Sequence, residues 1–206
     1  MEPFAAMSLA LPEPVLPASD ARAPLLSLLQ RYARAAPATA DLFRSFALAH
    51  SDCFERSCVP GHFTGSAWLV DRTGTRVLLT HHRKLNKWLQ LGGHADGDAD
   101  MARVALKEAE EESGLHDLQV ESEIFDLDRH EIPARADEPA HWHYDVRFVV
   151  RARGSDSFTI SDESHALAWR EIADVAVDES VDESVQRMAR KWLERVPDTI
   201  PTQPSP

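Results

Sequence analysis

A glycine bend that runs into an acid-laden helix constrains this 206-residue chain more than any other stretch. It reads Gly92-Gly93-His94-Ala95-Asp96, then Lys107-Glu108-Ala109-Glu110-Glu111-Glu112-Ser113-Gly114-Leu115. At about 100° per residue, Glu108, Glu111 and Glu112 stand at i, i+3 and i+4 and share one stripe roughly 100° wide. Glu110 faces nearly the opposite way, toward Arg103 and Lys107. Stacking like charges costs a helix on the order of a few tenths of a kcal/mol per i,i+4 pair. A divalent cation reverses the sign of that cost. Hard ions such as Mg²⁺ take oxygen ligands, keep several waters and bind alongside substrate phosphates.

A solvated face is the plainer explanation of an acidic run. Three features argue for a site. Met101, Ala102, Ala105, Leu106 and Ala109 give the same helix an apolar face, so it packs on a core. The acid stripe flanks that face instead of opposing it, which puts the carboxylates at the edge of a groove. Gly114 then stops the helix with the residue best suited to a C-terminal turn.

The segment resembles the Nudix box, G-x5-E-x7-R-E-U-x-E-E-x-G-U, with U a bulky aliphatic residue. Aligned without gaps, Gly93 is the first glycine, Glu108 follows the arginine position, and Glu111, Glu112, Gly114 and Leu115 fall in register. Three positions depart: Ala99 stands where the first glutamate belongs, Lys107 replaces the arginine, and Ala109 is small for its place. Lysine keeps the charge but lacks the planar fork that orients a carboxylate bidentately. The resemblance implies an α+β fold, an α/β/α sandwich, and Mg²⁺-dependent hydrolysis of a nucleoside diphosphate linked to another moiety, with Mn²⁺ as a substitute ion. It implies Glu108, Glu111 and Glu112 as metal ligands and catalytic residues. The substrate stays open among a nucleoside triphosphate, a damaged nucleotide and a nucleotide sugar such as ADP-ribose. A Nudix-fold nucleotide-sensing module with weak or no turnover is the competing reading, carried by Ala99 and Lys107.

Composition sets outer bounds. Net charge is −12, from 34 acids against 22 bases, and such a surface repels nucleic-acid duplexes. No apolar run approaches the roughly 18 residues of a membrane span. Two cysteines, Cys53 and Cys58, make no disulfide framework and point to a reducing cytoplasm. A small phosphate-bearing substrate is the partner expected, and a homodimer is one arrangement left open.

The spacing of apolar residues divides the chain into a Pro-rich flexible extension (1–19), a helical hairpin (20–55), a catalytic domain (56–196) and a disordered tail (197–206). Helices are expected over 22–35, 38–52, 100–113 and 179–195, and strands over 62–71, 76–83, 88–91, 118–128, 141–153 and 166–169. The hairpin is expected to lid the site, contact a second copy or simply pack on the domain, and packing needs the fewest assumptions.

Phosphate contacts are expected from the strand before the bend. His81 and Arg83 share one of its faces, and Arg83 is the first candidate. Gly93 and His94 are further candidates for the substrate site, with loop packing the alternative for His94. A general base is expected from the helix glutamates or a later loop, where Glu163 stands. His141, His143 and Asp145 alternate onto one strand face. Nothing at metal-ligand spacing completes that trio, so a polar groove lining is expected there. Trp142, Tyr144 and Trp88 read as packing residues.

Overall fold

A computed structural model of the chain describes residues 20–82, 87–135, 138–158 and 164–195. Two helices come first, α1 (Ala23–Tyr32) and α2 (Pro37–Ala49). Proline opens α2 at a position where its missing N–H has no helical partner to lose. Strands β1 (Gly61–Val70), β2 (Arg76–His82), β3 (Lys87–Leu89) and β4 (Leu91–His94) follow, then helix α3 (Met101–Ser113). Next come β5 (Leu118–Ile132), β6 (His141–Ala152), β7 (Ser164–Glu171), the short helix α4 (Ile172–Val175) and α5 (Glu183–Leu193).

The strands join one mixed sheet with β1 near its centre. Every residue of β1 is buried, as expected for a strand covered on both faces. It pairs in parallel with β6, from Gly61 opposite Trp142 to Val70 opposite Arg151. On its other side it pairs antiparallel with β4, from Thr64 opposite His94 to Ala67 opposite Leu91. β5 continues the sheet beyond β6, and β2 carries β3 and β7.

Alternation then sorts the side chains. One sheet face presents Phe63, Tyr144, Val146 and Phe148, which pack with Leu25, Leu29, Phe43 and Phe46 of the hairpin and Val104 and Ala105 of α3. Phe46 stacks on Tyr144 at 3.9 Å between ring centres. The hairpin therefore packs on the sheet, through an apolar cluster that runs across the 55/56 division. The opposite face changes character along its length. Trp68, Val70 and Val149 lie under α4 and α5 with Val181, Val185 and Met188. Further along the same strands come His62, Thr64, Ser66, His143, Asp145 and Arg147, all polar.

Several expected boundaries move. The 88–91 strand divides at Gln90 into β3 and β4, because β3 pairs with β2 while β4 pairs with β1. β5 runs on to Ile132, held by β6. The last helix begins at Glu183, where Asp182 caps it by accepting from the Ser184 amide. Helix α4 carries too few residues to show a period.

Candidate active site

Helix α3 is fixed at both ends by its own sequence. The Asp100 carboxylate accepts from the Arg103 amide at the N-terminus. Gly114, at φ 65°, closes the C-terminus by donating its N–H to Glu110. The helix lies close on β1 because Gly65 has no side chain: a Cβ there would stand 2.7 Å from Val104 Cγ1.

That close approach carries the carboxylates to the bend. Glu112 Oε1 accepts from the Gly92 amide at 2.7 Å. The Glu108 carboxylate lies against Gly93, where a Cβ would fall 2.5 Å from Oε2. A side chain there would push aside the acid beside it. Glu111 sits farther out, 59% exposed, with Lys107 Nζ 3.5 Å away. Lys107 also reaches Glu108 at 3.7 Å, and those two acids raise the lysine pKa. The helix edge thus holds Glu108 and Glu112 against the bend, with Glu111 and its lysine at the rim. All the donors are oxygens, which suits a hard dication.

The bend itself is braced from the segment before β1. The Gly97 amide donates to the Phe54 carbonyl, Arg56 pairs with Asp96, and Asp98 accepts from Arg103. Ala99 packs against the apolar cluster. The position where the family pattern has a glutamate is therefore apolar here, and Asp98 takes up the loop's ionic contact through Arg103.

The other expected contacts fall in different places. Arg83 and Glu163 lie outside the described residues. His81 stands opposite Trp88 in the β2–β3 ladder, 5.2 Å between ring centres. Trp88 packs against the α4–α5 cluster with Arg170 over its ring, a packing residue as expected. Gly92 faces Ser66 and Gly93 faces Glu108, so by alternation His94 turns to the polar face of the sheet.

On that face the expected trio of His141, His143 and Asp145 divides. Asp145 is buried and accepts from Thr64, Ser66, Gln90 and Arg147. Four protein donors leave it no role as a ligand. His143 instead meets His94 and His62, at 5.0 and 4.8 Å between ring centres. Sequence reading passed over His62 as an ordinary strand residue. The signal available was alternation combined with pairing: His62 and His143 are register partners across the parallel β1–β6 ladder.

The imidazoles are held neutral. Burial, then the neighbouring His94 and His141, push His62 down to about 4. Burial and the rings of His62, His94, His130 and His141 push His143 down to about 2. Burial and Arg56 lower His94. The cysteines play no nucleophilic part. Burial raises Cys53 to about 12 and Cys58 to about 11, so both stay thiols.

A family profile described as the NUDIX domain matches residues 62–194, which is more than half of the chain. Among solved structures, a NUDIX-family hydrolase from Clostridium perfringens is similar at 23% identity and TM-score 0.50, covering 64% of this chain and 95% of that one. A C. elegans Ap4A hydrolase in a binary complex matches at 17% identity and TM-score 0.51, covering 64% and 94%. An E. coli dihydroneopterin triphosphate pyrophosphohydrolase matches at 14% identity and TM-score 0.51, covering 65% and 96%. At these identities the likeness is one of fold. No curated protein matched the sequence.

Proposed function

The chain belongs to the Nudix family of pyrophosphohydrolases, and on that premise we propose that it hydrolyses the pyrophosphate bond of a nucleoside diphosphate linked to another moiety, with Mg²⁺ as cofactor. The observation that carries this reading is the pair of α3 carboxylates, Glu108 and Glu112, held against Gly93 and Gly92 at the end of β4. A pyrophosphate is densely anionic, so water attacks its phosphorus only once that charge is offset. Mg²⁺, for which Mn²⁺ substitutes, supplies the offset and acidifies water when bound. Glu108, Glu111 and Glu112 would hold it.

The protein's own groups set the stage. The Gly92 amide fixes Glu112 through Oε1. Lys107 lies against both Glu108 and Glu111 and offsets their mutual repulsion. One of the three glutamates, or a carboxylate on a later loop such as Glu163, takes the proton of the attacking water. His81 and Arg83 are the side chains assigned to the substrate, whereas Gly93 makes room for Glu108 and His94 turns to the opposite face of β4. Base and sugar are read outside the box. The candidate substrates are therefore a nucleoside triphosphate, a damaged nucleotide or a nucleotide sugar such as ADP-ribose. The similar proteins named for Ap4A and dihydroneopterin triphosphate add two compounds to the panel.

Two buried free thiols suit a reducing compartment, and we assign the protein to the cytoplasm. No described helix is long and apolar enough to cross a membrane. Its partner is a small nucleotide or diphosphate and not a nucleic-acid duplex.

The test is release of phosphate or nucleoside monophosphate from that panel, with and without Mg²⁺. Turnover that needs the ion and falls roughly 100-fold or more in Glu111→Gln and Glu112→Gln is expected. Glutamine at 112 keeps an oxygen for the Gly92 amide, so the fold is spared while the charge is lost. Turnover indifferent to Mg²⁺, or untouched in both variants, overturns the reading. Tight nucleotide binding without hydrolysis across the panel favours the sensing module instead, which Ala99 and Lys107 support.

A further inference from the structure

We propose that His62, His94 and His143 form a second metal site, one that takes a borderline divalent transition metal such as Zn²⁺ through three imidazole nitrogens. This does not rest on the pyrophosphohydrolase reading, because the two groups of donors stand on opposite faces of the same strand. At the end of β4, Gly93 faces Glu108 of α3, while His94 turns to the other side, toward Thr64 and His62 of β1. β6 brings His143 alongside His62 in parallel register.

Convergence is the first observation. One ring nitrogen from each of the three histidines lies within 4.8 Å of the other two. In tetrahedral zinc, with Zn–N bonds of about 2.0–2.1 Å, ligand nitrogens stand roughly 3.3 Å apart. Small side-chain rotations close that gap. Helix α3's three glutamates do not form such a group among the described residues, whose other convergent set is His50, Asp52 and Cys58.

Burial without a partner is the second and independent observation. His62 is 1% exposed, and neither of its ring nitrogens has a hydrogen-bond partner. A neutral imidazole carries one donor and one lone pair. Leaving either unmet in the interior costs on the order of 1–3 kcal/mol. A cation held at the lone pair offsets the part of that cost due to the unprotonated nitrogen, which no described residue meets. His94 and His143 are only half-buried, so the ion has a path from solvent.

Ring orientation is supported from behind. His141 places Nδ1 3.0 Å from the Pro139 carbonyl, and a carbonyl only accepts, so His141 donates from that nitrogen. Its Nε2 then meets His143 Nε2 at 3.3 Å. A backbone-anchored histidine that steadies a ligating one is the usual outer support of a metal centre. Glu138, 3.7 Å from His141, adds a negative charge nearby.

Donor chemistry sorts the ions. Imidazole suits Zn²⁺, Co²⁺ and Ni²⁺, whereas carboxylates suit Mg²⁺ and Mn²⁺. Three nitrogens leave a tetrahedral ion one position open to water or to a phosphoryl oxygen, the pattern of a catalytic zinc and not of a closed structural one.

Cobalt is the probe, because a tetrahedral Co²⁺ ion absorbs visible light strongly. The full chain, freed of metal by chelation, is titrated with Co²⁺ in the absence of nucleotide. One equivalent is expected to raise visible ligand-field bands, and Zn²⁺ to bleach them. His94→Asn and His143→Asn are expected to weaken the site at least about 10-fold, while Glu112→Gln leaves it intact. His62→Ala empties a buried position and risks unfolding, so the two half-buried variants decide. Absence of a protein-dependent spectrum overturns the proposal, as does a spectrum lost with Glu112→Gln. Thiolate charge-transfer bands that vanish with Cys58→Ser and survive His94→Asn place the ion at the other convergent set, and also overturn it.

Discussion

Single glycines decide where the acids stand. At Gly93 a methyl group would collide with the far end of Glu108, a flexible side chain, and not with backbone. Gly93→Ala is therefore expected to cost little stability, under about 1 kcal/mol. It should nonetheless push the Glu108 carboxylate aside and lower turnover by roughly 10–100-fold. Paired thermal melts and kinetics check this: equal loss in both would mean the acid position is immaterial. At Gly92 the same change meets Ser66, including its backbone Cα at 2.8 Å. That variant should lose stability first. The contrast comes from alternation along one short strand. The need for small residues at the bend was readable in the sequence, but which neighbour each glycine makes room for was not.

Between elements, the most exacting joint is an ion cluster where β5, β6 and α5 meet. Arg147 is 2% exposed and lies within 2.7 Å of Asp145, 3.5 Å of Asp126 and 3.4 Å of Asp128. Arg187 of α5 comes down on Asp126 and Asp128 at 2.7 and 3.0 Å. Arg147→Met removes the charge that the buried Asp145 and Asp126 carboxylates both contact, leaving Asp145 without its cation while Asp126 keeps Arg187. A loss of roughly 3–5 kcal/mol in denaturant unfolding is expected. A change within 1 kcal/mol would show that α5 alone carries the joint. The sequence hid this cluster because Asp126, Arg147 and Arg187 sit on three separate elements. The apolar stripe of α5, with Val185 and Met188 buried, was by contrast legible in its period, although Val181 falls before the helix begins.

Across the molecule, acid is expected to loosen the fold through carboxylates held in the charged state. Burial alone would raise the Asp71 carboxyl. The Arg76 amide, the Thr73 hydroxyl and the Arg76 guanidinium outweigh it and hold the group below the usual range. Asp128 is likewise lowered: burial opposes, while His130, Arg147 and Arg187 prevail. A carboxyl whose folded pKa lies below its unfolded value adds stability in full above that unfolded value, near 4. The contribution is lost as pH falls through the folded pKa. The stability gap between the parent and Asp71→Asn should therefore be widest above about pH 5 and narrow steadily toward pH 2. Urea unfolding at a series of pH values measures it, and a gap that widens in acid would refute the assignment.

Sequence alone determined what is periodic or contiguous. A helix with acids at i, i+3 and i+4, closed by Gly114, follows from spacing within one segment, and so does the family to which the chain belongs. The hairpin's apolar stripe likewise announced helices before any contact was known. Only the tertiary structure decided what meets across strands. His62, His94 and His143 are separated by dozens of residues, and a parallel pairing together with an antiparallel one brings them to one sheet face. Pairing register is set by which side chains the whole sheet buries, a property of the assembled core that no local run of residues carries.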